Sequence, residues 1–96
     1  YPGLPGHPGH DIAADQMTGF GSMLSIDVGN ADDAVSLIDA LTLFTSATSL
    51  GGVESLIEHR VRSGPTMEPG LVRISVGIED TDDLVADLRH GLSAIR

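Results

Sequence analysis

The sequence has 96 residues, a formal net charge of −9 and no cysteine. This length holds one small domain, and the lack of cysteine excludes disulfides, thiolate metal sites and thiol nucleophiles. The acidic balance argues against nucleic acid and anionic membranes as partners, and because all five basic residues are arginines, lysine nucleophiles are excluded as well.

Residues 1–9 repeat proline and glycine, with prolines at 2, 5 and 8 and glycines at 3, 6 and 9. This composition predicts an extended or turn-rich linker, because proline cannot donate a hydrogen bond to a backbone ladder. We expect another segment of the protein to precede this linker.

A short helix and a strand are predicted next, over residues 10–19 and 22–28. The helix is indicated by the spacing of Ala13, Met17 and Phe20. The strand is indicated by alternating apolar residues, which are Leu24, Ile26 and Val28.

Two longer helices are predicted to begin at Asn30 and Asp80, each with aspartates in the first turn, where the helix dipole favours negative charge. The apolar stripe of the first helix consists of Ala34, Val35, Ile38 and Leu41. The stripe of the second consists of Leu84, Val85, Leu88, Leu92 and Ile95. We interpret the aspartates as helix caps and not as metal ligands or acid–base groups.

Two short strands are predicted within residues 43–49 and 53–59, and a loop without regular structure at residues 60–70, which contain two prolines. Short connections favour antiparallel pairing, since a parallel return needs a crossover of a dozen or more residues. The predicted fold class is α+β, a small antiparallel sheet with three helices packed on one face.

Residues 71–80 contain the strand that is most informative about function. Val72, Ile74 and Val76 alternate with polar positions, so this strand buries one face and presents Arg73 on the other. An arginine in this place is either an edge-strand charge paired with a carboxylate or a receptor for the carboxylate of a ligand. The spacing alone favours the ion pair.

The Ser49-Leu50-Gly51-Gly52 sequence is short and rich in glycine, so its backbone N–H groups could bind an anion. It lacks the lysine of a phosphate-binding loop. Alone it indicates a turn; together with Arg73 on a neighbouring strand it indicates a carboxylate pocket.

The histidines offer no convincing site. His7, His10 and Asp11 could approach a metal, but the proline and glycine between the histidines do not place them on one helical face, and we expect no metal. We expect His59 and His90 to be solvated side chains.

Several separate motifs, in order, resemble the C-terminal part of the Cys/Met-metabolism enzymes, the pyridoxal-phosphate (PLP) enzymes of trans-sulfuration, which include cystathionine γ-synthase, cystathionine γ- and β-lyases and methionine γ-lyase. The resemblance covers almost the whole chain. The motifs are residues 1–10, Gln16-Met17, Gly19-Phe20-Gly21 with Met23-Leu24-Ser25, residues 49–59 and residues 71–80.

The resemblance implies that residues 1–9 link to a missing N-terminal PLP-binding domain and that residues 10–96 form the small C-terminal domain of a fold-type-I PLP enzyme. It implies that Arg73 receives the substrate α-carboxylate beside Ser49, with Thr48 and Leu50 also in the substrate site. No catalytic or cofactor-binding residue is expected in this chain, because the Schiff-base lysine lies in the other domain. The full-length enzyme is expected to be a cytoplasmic homotetramer, with that domain and an amino-acid substrate as partners.

Two departures from the family pattern bear on specificity. Thr48 stands where many γ-synthases and γ-lyases have a glutamate that selects the distal end of the substrate. Residues 60–70 are shorter than the matching segment of the family and differ in sequence.

The resulting hypothesis is a C–S lyase or synthase of which this fragment alone is inactive. One alternative is a non-catalytic docking or small-acid-binding module of a larger assembly. A second alternative is a small acidic regulatory domain that self-associates through its open sheet face.

Overall fold

The structure is a computed structural model that describes residues 1–62 and 67–95, and its elements alternate between helix and strand. In chain order they are α1 His10–Gln16, β1 Met23–Asp27, α2 Ala31–Ala40, β2 Thr45–Ser46, β3 Leu56–His59, a 3-10 helix at Arg60–Arg62, β4 Leu71–Ser75 and α3 Thr81–Ser93.

The strands form one sheet in the order β1-β4-β3-β2. β4 pairs antiparallel with both β1 and β3, but β2 pairs parallel with β3, so the sheet is mixed and the prediction of a purely antiparallel sheet is wrong. β2 has only two residues, and a crossover loop, residues 47–55, is long enough to return the chain alongside so short an edge strand. The crossover rule that guided the prediction applies to full strands joined through a helix.

One face of the sheet carries the core. The period-two pattern of β4 is confirmed, because Val72 and Ile74 are 0% and 1% exposed, whereas Arg73 between them is partly exposed. α2 and α3 cover this face. The buried apolar cluster consists of Ala34, Phe44, Ile57, Val72, Ile74 and Leu84.

The prediction that three helices cover the sheet is wrong for the first of them. α1 is shorter than predicted and buries none of its residues. α1 is therefore a surface helix, and two helices form the layer over the core.

In α2 the buried residues are Ala34 and Leu37, while Val35, which the predicted stripe included, is exposed.

In α3 the stripe is also shifted from the prediction. Leu84, Asp87 and Gly91 are buried, whereas Val85 and Leu92 are exposed. A Cβ atom at Gly91 would lie 3.2 Å from the backbone oxygen of Leu37, so glycine allows α2 and α3 to pack closely. Asp87 and Gly91 are not apolar side chains, so the search for an apolar stripe did not place them on the buried face of α3.

Both predicted helix caps are confirmed. The Asn30 side chain accepts a hydrogen bond from the Asp33 N–H at 2.9 Å, and Asp80 accepts one from the Asp83 N–H at 3.1 Å. Each bond satisfies a backbone donor that has no partner inside the helix.

Asp87 joins the end of α2 to α3. Its carboxylate accepts hydrogen bonds from the backbone N–H groups of Thr42, Leu43 and Phe44 and from the Thr42 hydroxyl. Burial alone would raise the pKa of Asp87, but these hydrogen bonds outweigh it and hold the pKa below its ordinary value. The carboxylate is therefore a structural anion.

The segment after β3 differs from its prediction. His59 is 5% exposed, and its Nε2 atom lies 2.6 Å from the Pro69 carbonyl oxygen, so the expectation that it is solvated is wrong. His90 is exposed as expected. A 3-10 helix at Arg60–Arg62 begins the stretch predicted to be irregular, and residues 63–66 of that stretch lie outside the described residues.

Residues 1–9 form the predicted turns. Backbone hydrogen bonds of 2.9 to 3.1 Å recur every third residue, from Leu4 to Tyr1, from His7 to Leu4 and from His10 to His7. The Tyr1 hydroxyl donates to the Gly21 carbonyl at 2.9 Å, so this segment lies against the start of β1. In the part of the chain that the structure describes, no helix has the length and apolar character needed to cross a membrane.

Candidate functional site

The face of the sheet opposite the helices carries Arg73. Antiparallel register places Ser25 of β1 on one side of Arg73 and Glu58 of β3 on the other. Residues directly opposite one another on neighbouring strands share a face. Arg73 therefore lies near the middle of the face that the helices leave uncovered.

Two contacts hold the guanidinium of Arg73. Its Nη2 atom donates to the Thr48 carbonyl oxygen at 2.6 Å and lies 3.4 Å from Oε1 of Glu58. Nη1 of Arg60 contacts the same Glu58 oxygen more closely. Glu58 is thus shared between two guanidinium groups, and its charge is not committed to Arg73.

The remaining donors of Arg73 are available to a ligand. The described contacts all involve Nη2, whereas a guanidinium carries five N–H donors in a planar fork. The side chain is 20% exposed. A carboxylate can accept two parallel hydrogen bonds from such a fork.

A shallow depression of about 220 Å³ lies beside Arg73. It gives room for a small ligand beside Arg73. Its lining comes from the N-terminal turns and from β1 and β4, namely Tyr1, Pro2, His7, Met23, Leu24, Ser25 and Arg73.

The crossover loop supplies the other predicted site residues. Thr48 contacts Arg73 through its backbone oxygen, and Ser49 and Leu50 follow it as exposed residues, with Leu50 53% exposed. The side chains of Ser49 and Leu50 make no described hydrogen bond to Arg73. The structure thus brings Thr48 directly to Arg73 and keeps Ser49 and Leu50 next to it along the chain.

The glycine pair does not form a free anion cradle. The Gly51 N–H donates to the Ser75 hydroxyl at 3.0 Å, so it is already used. Gly51 has a φ of +77°, in the left-handed region that favours glycine, and turns the loop at this point. The glycines therefore shape and anchor the loop.

Sequence reasoning missed a polar pair at the end of the loop. Glu79 accepts hydrogen bonds from the Ser55 N–H at 2.9 Å and from the Ser55 hydroxyl at 2.8 Å. The Ser55 hydroxyl accepts one from the Gly77 N–H at 2.8 Å. Hydrogen bonds from the Ser55 backbone, from the Glu79 backbone and from the Ser55 hydroxyl, in decreasing order of effect, lower the pKa of Glu79. Ser55 and Glu79 are 24 positions apart, and no local pattern in the sequence indicates their contact.

The two N-terminal histidines have partners within the chain. His7 Nδ1 accepts a hydrogen bond from the Gly9 N–H at 2.9 Å, and His10 Nδ1 lies 2.7 Å from the Pro2 carbonyl oxygen. The His10 ring stacks on Phe20 with centroids 5.2 Å apart. Across residues 1–62 and 67–95, no group of three or more His, Asp or Glu side chains is placed to hold a metal ion.

Comparison with known proteins gives consistent matches. The model of the Cys/Met metabolism PLP-dependent enzyme family matches residues 1–93. The chain is 50% identical over 102 residues to a cystathionine gamma-synthase of Mycobacterium leprae, covering 97% of the chain and 26% of that protein. It is 44% identical over 108 residues to a cystathionine gamma-lyase of Bacillus subtilis, covering 99% of the chain and 28% of that protein.

A solved structure gives the same result. The chain matches the crystal structure of cystathionine gamma synthase from Xanthomonas oryzae pv. oryzae, in complex with aminoacrylate and cysteine, with a TM-score of 0.88 and 44% identity. The match covers 98% of this chain and 27% of that one. The chain spans about a quarter of the length of the relatives it matches.

Proposed function

Because the chain belongs to the Cys/Met metabolism PLP-dependent enzyme family, we propose that it is the substrate-carboxylate-binding part of a C–S lyase or synthase acting on sulfur amino acids. In this proposal residues 10–96 are the small C-terminal domain and residues 1–9 connect it to a PLP-binding domain. The proposal is supported by the family match over residues 1–93 and by the quarter of its relatives' length that the chain spans.

The cofactor has no covalent attachment site in this chain. Pyridoxal phosphate withdraws electrons from the substrate's Cα when it is bound, and enzymes attach it through a lysine. The sequence contains no lysine, so its residues do not fit the group, and the cofactor is proposed to be held by the rest of the protein. The 96-residue chain alone is therefore expected to be inactive.

The observation that carries the proposal is the position of Arg73. The Thr48 carbonyl accepts a hydrogen bond from the guanidinium, Glu58 also contacts Arg60, and Arg73 lines a depression of about 220 Å³. A substrate α-carboxylate bound there by two parallel hydrogen bonds would have a fixed orientation. Orienting the reacting bond in this way is a recognised source of catalytic rate.

Neighbouring residues are proposed to set specificity. Thr48, Ser49 and Leu50 do not line the depression, but they lie in the loop beside Arg73 and are proposed to contact the substrate from that side. The aligned stretches of 102 and 108 residues are longer than the chain of 96, so the relatives carry residues that this chain lacks. We propose that the shortening lies at residues 60–70 and gives the site an entrance that differs from theirs. A cytoplasmic homotetramer stays a prediction for the full-length protein.

The test is Arg73→Ala in the full-length protein. We expect KM for amino-acid substrates to rise about 30-fold or more, because a charge-assisted pair of hydrogen bonds contributes roughly 2 kcal/mol or more. The absorbance of the bound cofactor is expected to stay unchanged. Steady-state kinetics and spectroscopy measure both quantities.

The matched control is Arg89→Ala, which removes an exposed arginine from α3. It is expected to leave KM within about twofold of the wild-type value, as usual for a surface change. An Arg73→Ala enzyme with wild-type KM would remove Arg73 from the substrate site. The non-catalytic alternative is then favoured, and a protein sequence upstream of Tyr1 without a lysine-bearing PLP domain would support it directly.

A further inference from the structure

Four alternate positions of one strand and its extension hold the crossover loop. Counted along β4 and beyond, they are Arg73, Ser75, Gly77 and Glu79. Arg73 contacts Thr48 and Ser75 contacts Gly51, whereas Gly77 and Glu79 both contact Ser55. Arg73 and Ser75 are alternate residues of β4 and share a face, and the chain bends at residues 78–79 beyond the strand. The loop is therefore held near Arg73 at one end and at Ser55 at the other.

The contacts of Arg73 and Ser75 advance along the loop from Thr48 to Gly51, and the contacts of residues 77–79 converge on residues 53–55. Arg73 binds the Thr48 carbonyl at 2.6 Å, and the Ser75 hydroxyl accepts from the Gly51 N–H at 3.0 Å. Further along, the Ile78 N–H donates to the Val53 carbonyl at 2.9 Å. The loop is therefore held at several points between Thr48 and Ser55.

Gly77 brings the two segments into contact. A Cβ atom there would overlap the Val53 carbonyl oxygen and would lie 2.6 Å from the Glu54 carbonyl carbon. Only a glycine fits at this distance. The N–H of Gly77 donates to the Ser55 hydroxyl, and this hydrogen bond holds the last residue of the loop against Gly77.

The carboxylate of Glu79 closes the series. Its two oxygens accept from the backbone and the hydroxyl of Ser55, a residue with 0% exposure. Hydrogen bonds from a buried residue to an ionised acceptor are among the stronger ones in proteins. Glu79 therefore anchors the loop at the end opposite to Thr48.

We propose that Glu79 and Ser55 are positioning residues for substrate binding: their hydrogen-bonded pair holds the loop so that the Thr48 carbonyl keeps the Arg73 guanidinium turned toward its ligand. This inference rests on the function proposed above. If the loop loosens, Thr48 withdraws from Arg73, and Oε1 of Glu58, 3.4 Å away, becomes the competing partner. The guanidinium then has to leave Glu58 before it can bind a carboxylate, which weakens substrate binding.

The test is Glu79→Gln in the full-length holoenzyme. Glutamine keeps one acceptor oxygen but turns an NH₂ group toward the second Ser55 donor. We expect KM for the amino-acid substrate to rise about 5- to 10-fold with kcat within about twofold, because the lost interaction acts on binding in the ground state and the transition state alike. Hydrogen exchange of the peptide spanning residues 47–55 is expected to become faster, with the cofactor absorbance unchanged.

Two controls separate positioning from general destabilisation. Glu54→Gln removes the same charge from an exposed neighbour in the loop, and both KM and exchange should match the wild type. Leu88→Val loosens the helical layer on the other face, and it should lower Tm without raising KM.

Each outcome decides the inference. A Glu79→Gln enzyme with wild-type KM overturns it, as does a KM rise that Leu88→Val reproduces at equal loss of Tm. If Arg73→Ala raises KM and Glu79→Gln does not, the inference fails and the proposed function stands. If Arg73→Ala also leaves KM unchanged, the proposed function fails as well.

Discussion

At the residue scale, hydrogen bonds keep two carboxylates of the chain ionised. Asp87 accepts four hydrogen bonds from residues 42–44, and Glu79 accepts two from Ser55. Hydrogen bonds to the charged form lower a carboxyl pKa, and the pKa values of both groups lie below their ordinary values. Each is a fixed negative charge that orders a backbone segment, and neither is a proton donor or acceptor at neutral pH.

Acid should weaken the fold through these groups. A carboxyl group whose pKa is lower in the folded state binds fewer protons there than in the unfolded chain, so its stabilisation is complete above the unfolded pKa of about 4. That stabilisation is lost as pH falls from about 4 through the lower folded pKa.

Asp87→Asn is expected to destabilise the chain by about 1 to 3 kcal/mol at pH 7, since an amide cannot accept hydrogen bonds from all the groups that donate to Asp87. The substitution should also reduce the dependence of the free energy of unfolding on pH below about pH 4.

Urea denaturation of the 96-residue chain between pH 2 and pH 7 measures both effects. Asp39→Asn is the control, because Asp39 is exposed on α2 and is expected to change stability by less than about 0.5 kcal/mol. An Asp87→Asn variant whose free energy of unfolding and acid slope equal those of the wild type would contradict the structural role given to this carboxylate.

At the scale of elements, residues 76–79, which follow β4, pack closely against the end of the crossover loop. The segment after Ser75 fits against the end of the crossover loop because Gly77 has no side chain. Gly77→Ala is expected to destabilise the fold by about 1 to 3 kcal/mol, because the new methyl group overlaps backbone atoms that cannot rotate away. Gly52→Ala, in the same loop, has open space around the new Cβ and a φ outside the left-handed region.

The comparison of these two alanine variants by thermal denaturation tests the packing. Gly52→Ala should be neutral or slightly stabilising, because alanine restricts the unfolded chain more than glycine does. Equal melting temperatures for Gly77→Ala and Gly52→Ala would show that the close approach at Gly77 does not exist in solution.

Local patterns predicted the elements that depend on local physics. The caps at Asn30 and Asp80 and the alternation around Arg73 were correct, because capping and pleat are set by residues within a few positions of one another. The parallel pairing of β2 and the Ser55 to Glu79 contact were missed. They join residues 11 to 24 positions apart, which a local pattern does not record.

Part of the candidate site followed from the sequence as well. The alternation placed Arg73 on the face without helices, and the loop expected beside it contacts Arg73 through the Thr48 carbonyl, whereas the carboxylate pocket stays a prediction. The sequence did not reveal that the Gly51 N–H is taken by Ser75, or that His59 is buried against Pro69. Such partners are decided by how the loops cross the sheet.

For the whole molecule, the two faces of the sheet have separate tasks. The helical face holds the apolar cluster and the opposite face holds the charged and polar groups around Arg73. With a net charge of −9, the chain offers an incoming carboxylate little general attraction, so the proposed carboxylate binding depends on the local guanidinium of Arg73. The chain belongs to a family of Cys/Met metabolism, and cysteine and methionine each carry a carboxylate.

The most direct test is a crystal structure of the full-length protein with an unreactive amino-acid analogue bound. We predict that both oxygens of its α-carboxylate lie within about 3 Å of Arg73 nitrogen atoms, the distance of charge-assisted hydrogen bonds, with the Thr48 carbonyl still accepting from Nη2. A carboxylate bound elsewhere, with the Arg73 guanidinium paired to Glu58, would contradict the account.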